Sequence, residues 1–248
     1  MARGMNKVTL VGFVEREPEL RRAADGRAVA SFTVSTSRDW TTGSGIDGSA
    51  TEWFNVVAWG ALAEAAKARL IKNQRLYAEG HLQTRIWDDS EGRRQACTEV
   101  VASELIPLDT REPVAAQSLE PGDEDLPLCL NKIIVIGNLG RNPEMRYTPD
   151  GRAVTSFSMA ATRSGASASG VHNGATEWFN VVAWGSLAEI CNQHLAKGRR
   201  VCVEGELRTR GWEQPAGEKR FRTELIAHEM IMLGPRPKDR SAEQELTE

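Results

Sequence analysis

The string Thr-Glu-Trp-Phe-Asn-Val-Val-Ala-Trp-Gly occupies residues 51–60 and recurs unchanged at residues 176–185. The offset of 125 residues also aligns Asn6-Lys7 with Asn131-Lys132 and Asp25-Gly-Arg-Ala-Val with Asp150-Gly-Arg-Ala-Val. It aligns Glu79-Gly80 with Glu204-Gly205, Thr84-Arg85 with Thr209-Arg210, Trp87 with Trp212, and Thr98-Glu99 with Thr223-Glu224. No gap is needed between residues 6 and 108, and roughly 45% of the paired positions are identical, far above chance self-similarity. The period is too long for a solenoid repeat and suits a small autonomous domain. The chain is therefore a tandem duplication: a first domain over residues 1–108 and a second over residues 131–234.

What lies outside the copies differs in kind. Residues 109–130 hold three prolines and one arginine against six acids, and read as an acidic linker. Residues 235–248 are polar and aperiodic, and read as a short disordered tail. Net charge over all 248 residues is −3, but residues 131–233 alone carry 13 basic against 10 acidic side chains. A uniformly basic nucleic-acid binder is excluded; a locally basic one is not. Hydrophobic residues are 40% and charged residues 26%, which excludes a wholly disordered chain. No apolar run approaches the ~18 residues of a membrane-spanning helix, and the N-terminus shows no apolar secretion core. Cys97, Cys129, Cys191 and Cys202 form no Cys-x-x-Cys pair and the four histidines are scattered. No zinc site, disulfide framework or other metal or cofactor is expected, and a reducing cytoplasm fits.

Each copy follows one order. Residues 7–14 are β-rich and interrupted by Gly12, a bend signal repeated at Gly137. Pro18 and Asp25-Gly26 mark loop and turn. Residues 27–36 alternate as a strand, with Ala28, Ala30, Phe32 and Val34 on one side. Residues 41–50 read as a flexible Gly/Ser/Thr loop. Residues 53–59 form a strand, 62–70 a short helix, 74–87 a strand, 88–92 a turn and 93–105 a last strand. This β-β-β-α-β-β order predicts an all-β protein with one short helix per repeat, built as tandem five-stranded OB-fold barrels. Closure removes the exposed edges of short antiparallel sheets, and OB-folds hold oligonucleotides on one face.

Seven tryptophans stand against two tyrosines. Trp53 and Trp59 are six residues apart on a strand and so share a face with Asn55 and Val57, while Phe54, Val56 and Ala58 supply the core. A single tryptophan is more often core than not. A barrel this small cannot enclose three indoles per copy, however, and cations accompany them. Arg85, Arg93 and Arg94 flank Trp87; Arg208, Arg210 and Arg220 flank Trp212. Arg208 and Arg210 share one strand face, and Gln83 stands at the first of these positions in copy one. Aromatic platforms beside a cationic groove are what single-stranded nucleic acid requires.

These residues carry a resemblance to bacterial single-stranded DNA-binding proteins. It rests on Asn6-Lys-Val-Thr-Leu-Val-Gly12, Pro18-Glu19, Thr51-Glu-Trp53, Leu62-Ala-Glu64, Glu79-Gly80, Thr84-Arg85, Trp87 and Thr98-Glu99, and on their counterparts in copy two, including Leu207-Arg-Thr-Arg210. The resemblance implies stacking roles for Trp40, Trp53, Trp59 and Trp87, and for Trp178, Trp184 and Trp212. Trp40 has no counterpart, because Gly165 stands there. It also implies phosphate contacts from Lys72 and Lys197 between helix and fourth strand. It further implies a homodimer presenting four barrels, acting in the cytoplasm on the nucleoid in DNA replication, recombination and repair. Family tails usually end in an acidic tip closing on an apolar residue, which recruits partner enzymes; Glu245-Leu-Thr-Glu248 departs from that pattern.

Two other readings compete. A nuclease or deaminase needs grouped carboxylates or a zinc signature, and Glu52 and Glu177 stand alone in the sequence. A protein-interaction OB module would not need the aromatics, which both copies keep. RNA binding would use the same stacking and differ only in 2′-hydroxyl contacts.

Overall fold

The structure, a computed structural model, describes residues 4–41, 47–88, 92–109, 129–163, 175–213 and 219–234. The expected linker, residues 110–128, and the tail, residues 235–248, lie outside the described residues. The chain divides into two compact units, Lys7–Lys132, and Ile133–Glu248 together with Met1–Asn6. Among the described residues no helix is long and apolar enough to cross a membrane.

The first unit is built from β1 (Met5–Arg22, from Lys7 onward), β2 (Ala28–Thr41), β3 (Asp47–Trp59), α1 (Ala61–Arg69), β4 (Arg75–Asp88) and β5 (Arg94–Pro107). β1 pairs antiparallel with both β2 and β4, β4 pairs with β5, β2 pairs with β3, and β3 closes the ring by a short parallel ladder to β5. The result is the closed five-stranded barrel anticipated from the element order. Its core is the predicted alternation: Ala28, Ala30, Phe32 and Val34 of β2 and Phe54, Val56 and Ala58 of β3 are buried together with Val8, Leu10, Leu76 and Val100. Val57 is buried as well, although it alternates with these; it lies in register between Ser31 and Val101. The helix turns in Ala63 and Ala66 and is followed by buried Leu70.

The second unit repeats the plan with β6 (Leu130–Leu139), β7 (Glu144–Tyr147), β8 (Ala153–Arg163), β9 (Ala175–Trp184), α2 (Gly185–His194), β10 (Arg200–Glu213) and β11 (Lys219–Met232). Here β6 pairs with β10 and β8, β10 with β11, β11 with β9 in parallel, and β9 with β8.

Two loop expectations need correction. Residues 47–50 are strand, so β2 and β3 form a longer hairpin with Thr41 opposite Asp47. Only residues 42–46 of that loop lie outside the description. Pro18 does not end the first strand; β1 runs through it, and its register with β2 slips between Val14 and Arg16 and again between Arg16 and Glu19. Bulges are where a strand tolerates proline. In copy two the matching strand does break, into β6 and β7.

The bend glycines sit where two strands cross closely. A Cβ on Gly12 would fall 2.0 Å from the Ser35 carbonyl oxygen, and one on Gly80 would fall 2.2 Å from that of Val101. Both obstacles are backbone, so neither can rotate away. We expect Gly12→Ala to destabilise the first barrel by roughly 1–3 kcal/mol, the usual range for overpacking. At ~4–8 °C per kcal/mol for a domain this size, calorimetry reads this as a clear fall in Tm. An unchanged Tm contradicts the close crossing.

Candidate nucleic-acid interface

Cross-strand pairs point to the same side of a sheet, so the register defines what each outer face carries. On β4 and β5, Gln83 faces Glu99, Arg85 faces Cys97 and Trp87 faces Gln95. On β3, Trp53, Asn55 and Trp59 alternate away from the core. Asn55 Nδ2 donates to Cys97 Sγ at 3.4 Å, which ties the β3 row to the β5 row on one outer surface. One face of the first barrel thus gathers Trp53, Asn55, Trp59, Arg85 and Trp87. The indoles are not core: Trp53 is 60%, Trp59 39% and Trp87 41% exposed. In copy two Trp178 is 59% exposed and Trp184 half-buried. Trp40, Trp212 and Arg220 lie on strands, with Trp212 in register with Arg220, but their side chains lie outside what the structure describes.

The cations are arranged around the rings. The Arg85 guanidinium carbon lies 5.1 Å from the Trp87 ring centroid, and its Nη2 lies 3.6 Å from Glu99 Oε1. Arg27 lies 5.2 Å from the Trp59 ring, and Arg152 lies 5.1 Å from that of Trp184. Such contacts hold a cation beside an exposed aromatic ring. Arg27 also donates to Asp25 Oδ2 at 2.6 Å. The Arg27 backbone N–H and guanidinium hold the Asp25 carboxyl below its ordinary pKa. Arg27 and Arg152 were not among the expected contact residues; the only trace of them is that Asp-Gly-Arg recurs at the 125-residue offset.

Not every expected cation joins this face. Arg94 is in register with Asp88, on the row of Ile86 and Ala96, and so on the opposite side of the hairpin from Trp87. Arg93 precedes β5 and is exposed. Lys72 and Lys197 are exposed on the turns between helix and fourth strand; the Lys197 backbone N–H donates to Asn142 Oδ1 at 2.8 Å. Arg208 and Arg210 do share one side of β10, joined there by Arg222, the register partner of Arg210. Arg208 is held by Glu206, its Nε donating to Oε1 at 2.6 Å. Copy one has His81 at the position of that acid.

The Trp178 platform is seated on a glycine. A Cβ on Gly140 would fall 2.3 Å from Trp178 Cζ3 and 3.1 Å from Ser158 Oγ. The obstacle is a half-exposed ring that can swing away, so Gly140→Val is expected to fold and displace the indole. We expect it to weaken oligo(dT) binding about as much as losing one stacked base, roughly tenfold, with Tm nearly unchanged. Wild-type affinity in Gly140→Val would show that the seat has no role.

The profile of the Single-strand binding protein family matches residues 5–108 and again residues 130–233. The chain belongs to that family. Among its relatives, single-stranded DNA-binding protein 1 of Chlorobaculum tepidum is 45% identical over 106 residues, 42% of this chain and 65% of the relative. The chain thus spans just under two thirds of that relative's length. The single-stranded DNA-binding protein of Thermus thermophilus is 33% identical over 229 residues, 92% of this chain and 84% of the relative. The crystal structure of the wild-type single-stranded DNA binding protein from Thermus aquaticus superposes with a TM-score of 0.71 at 28% identity, covering 98% of this chain and all of that one. Twofold matching of the family profile agrees with the internal repeat, and the duplicated OB-fold anticipated from strand order is the fold of this family member.

Proposed function

We propose that this chain binds and protects single-stranded DNA without marked sequence preference in replication, recombination and repair. Bases stack on Trp53, Trp59, Trp87, Trp178, Trp184 and Trp212, with Trp40 added in copy one. Arg85, Arg208 and Arg210 contact phosphate, assisted by Lys72, Lys197, Arg93 and Arg220. The observation that carries this is the exposure of Trp53 and Trp178, 60% and 59%, on sheet faces that also bear arginines. Large aromatics presented to water at equivalent points of two barrels are poor core but good platforms. No catalytic step is assigned. Because the protein binds only the open form, it melts hairpins by mass action.

We further infer that residues 1–108 and 131–234 are the two binding domains, that residues 109–130 link them, and that residues 235–248 are a tail. Two chains associate into a homodimer of four barrels acting on the nucleoid. Light scattering should return twice the chain mass; the mass of one chain would remove the dimer. The binding itself is tested by tryptophan emission during titration with long oligo(dT) at low and high salt. Saturating quenching that weakens with salt is expected. A folded protein whose emission does not respond, and which does not retain the oligonucleotide, overturns the reading.

A further inference from the structure

Beyond the barrel, β10 and β11 continue as a two-stranded arm. The pairing of β10 with β6 covers Arg200 to Gly205, and that of β11 with β9 covers only Leu225 and Ile226. Among the described residues, positions 209–213 and 219–223 pair only with each other. Among the described residues, neither edge of these positions has a further strand partner. One side carries Arg208, Arg210 and Arg222. The other continues the barrel's core row outward: Leu207 faces Leu225, Thr209 faces Thr223, and Gly211 faces Phe221. The leucines are 1% exposed, whereas Phe221 is 70% exposed, the highest value of any large hydrophobic side chain among the described residues.

This row differs between the copies in a way packing does not explain. In copy one the same positions are Ile86 and Ala96. Copy two has no side chain on the first strand and an aromatic ring on the second. An aromatic opposite a strand glycine can shield the bare backbone, but a ring left 70% in water does little of that. The same copy has Gly165 where copy one has Trp40. The two copies therefore exchange aromatics: Trp40 becomes glycine and Ala96 becomes phenylalanine.

We propose that Phe221 is a further base-stacking platform, so that copy two holds single-stranded DNA on both sides of its β10–β11 arm. The strand meets phosphate ligands Arg210 and Arg222 on one side and stacks a base on Phe221 on the other. To pass between them it rounds an edge of the ribbon that has no further strand partner among the described residues. Stacking tolerates any base, so the contact adds affinity and length of bound strand without adding sequence preference. The inference rests on the single-strand binding reading above.

The test uses the full chain and oligo(dT) carrying 5-iodouracil at successive positions, which crosslinks on irradiation to the aromatic ring it stacks on. Mass spectrometry should find adducts on Phe221 as well as on the exposed tryptophans. Phe221→Ala should raise Kd by roughly fivefold or more, with the dependence of log K on log salt unchanged, since no phosphate contact is lost. Phe221→Trp should retain the affinity and Phe221→Leu should not, which separates stacking from filling space over Gly211. Adducts on the tryptophans alone, with wild-type affinity in Phe221→Ala, overturn the proposal and leave the binding function standing. Absence of all adducts and of binding overturns both.

Discussion

Trp53→Ala combined with Trp178→Ala is expected to weaken binding to long oligo(dT) by at least about 30-fold. Base–aromatic stacking is worth ~1–3 kcal/mol per base on alanine substitution. The two tryptophans belong to different compact units, so their effects should add to roughly 2–6 kcal/mol, and the lower bound corresponds to that 30-fold change. The fold should not suffer. Each indole is about 60% exposed, and truncating a surface side chain usually moves stability by no more than ~0.5 kcal/mol. Fluorescence anisotropy of a labelled oligonucleotide gives the Kd, and calorimetry checks the Tm. The single variants should divide the loss about equally, because both copies present this side chain to the same extent. A double variant that binds within twofold of wild type would mean the indoles do not stack on the ligand. The arginines alone would then have to carry the affinity.

The barrel was legible because its evidence is periodic. Alternation at Ala28, Ala30, Phe32 and Val34 identifies a core face, and the repeat at a fixed offset supplies an independent second copy of each element. The exposed tryptophans followed from the same parity: if Phe54, Val56 and Ala58 face in, Trp53 and Trp59 face out. What was not legible depends on contacts between distant segments. Arg27 reads as a turn residue, and only the pairing of β2 with β3 brings it over Trp59. The side on which Arg94 stands depends on the register of β4 with β5 across a turn, where one residue of slip moves a side chain to the other face. The extent of the β2–β3 hairpin was missed because Gly and Ser at residues 48–49 argue for a loop, while pairing to the partner strand overrides so weak a local preference. Pro18 misled for a similar reason, since a bulge removes the need for the missing amide.

Copy two is expected to contribute more of the salt dependence than copy one. At three positions in equivalent register, Gln83, Gln95 and Cys97 of copy one become Arg208, Arg220 and Arg222. Each phosphate neutralised on a single strand adds ~0.7 to the slope of log K against log salt. Returning copy two to the residues of copy one, by Arg220→Gln with Arg222→Cys, should lower the slope by about 1.4. These replacements already occupy a folded barrel at the same register, so the sheet should accept them. Adding Arg208→Gln should lower the slope by clearly less than a further ~0.7. Glu206 holds the Arg208 guanidinium at 2.6 Å, and a phosphate must compete with that carboxylate. Arg208→Gln would release Glu206, so affinity at low salt should fall even where the slope scarcely moves, through repulsion between its carboxylate and the backbone. The order is reversed for Glu206→His, the copy-one residue: it frees Arg208 and should steepen the slope. A slope unchanged in the Arg220→Gln, Arg222→Cys variant would place the phosphates elsewhere, with Lys197 and Arg152 next in line. A full 0.7 lost on Arg208→Gln would mean that Glu206 yields the guanidinium when DNA binds.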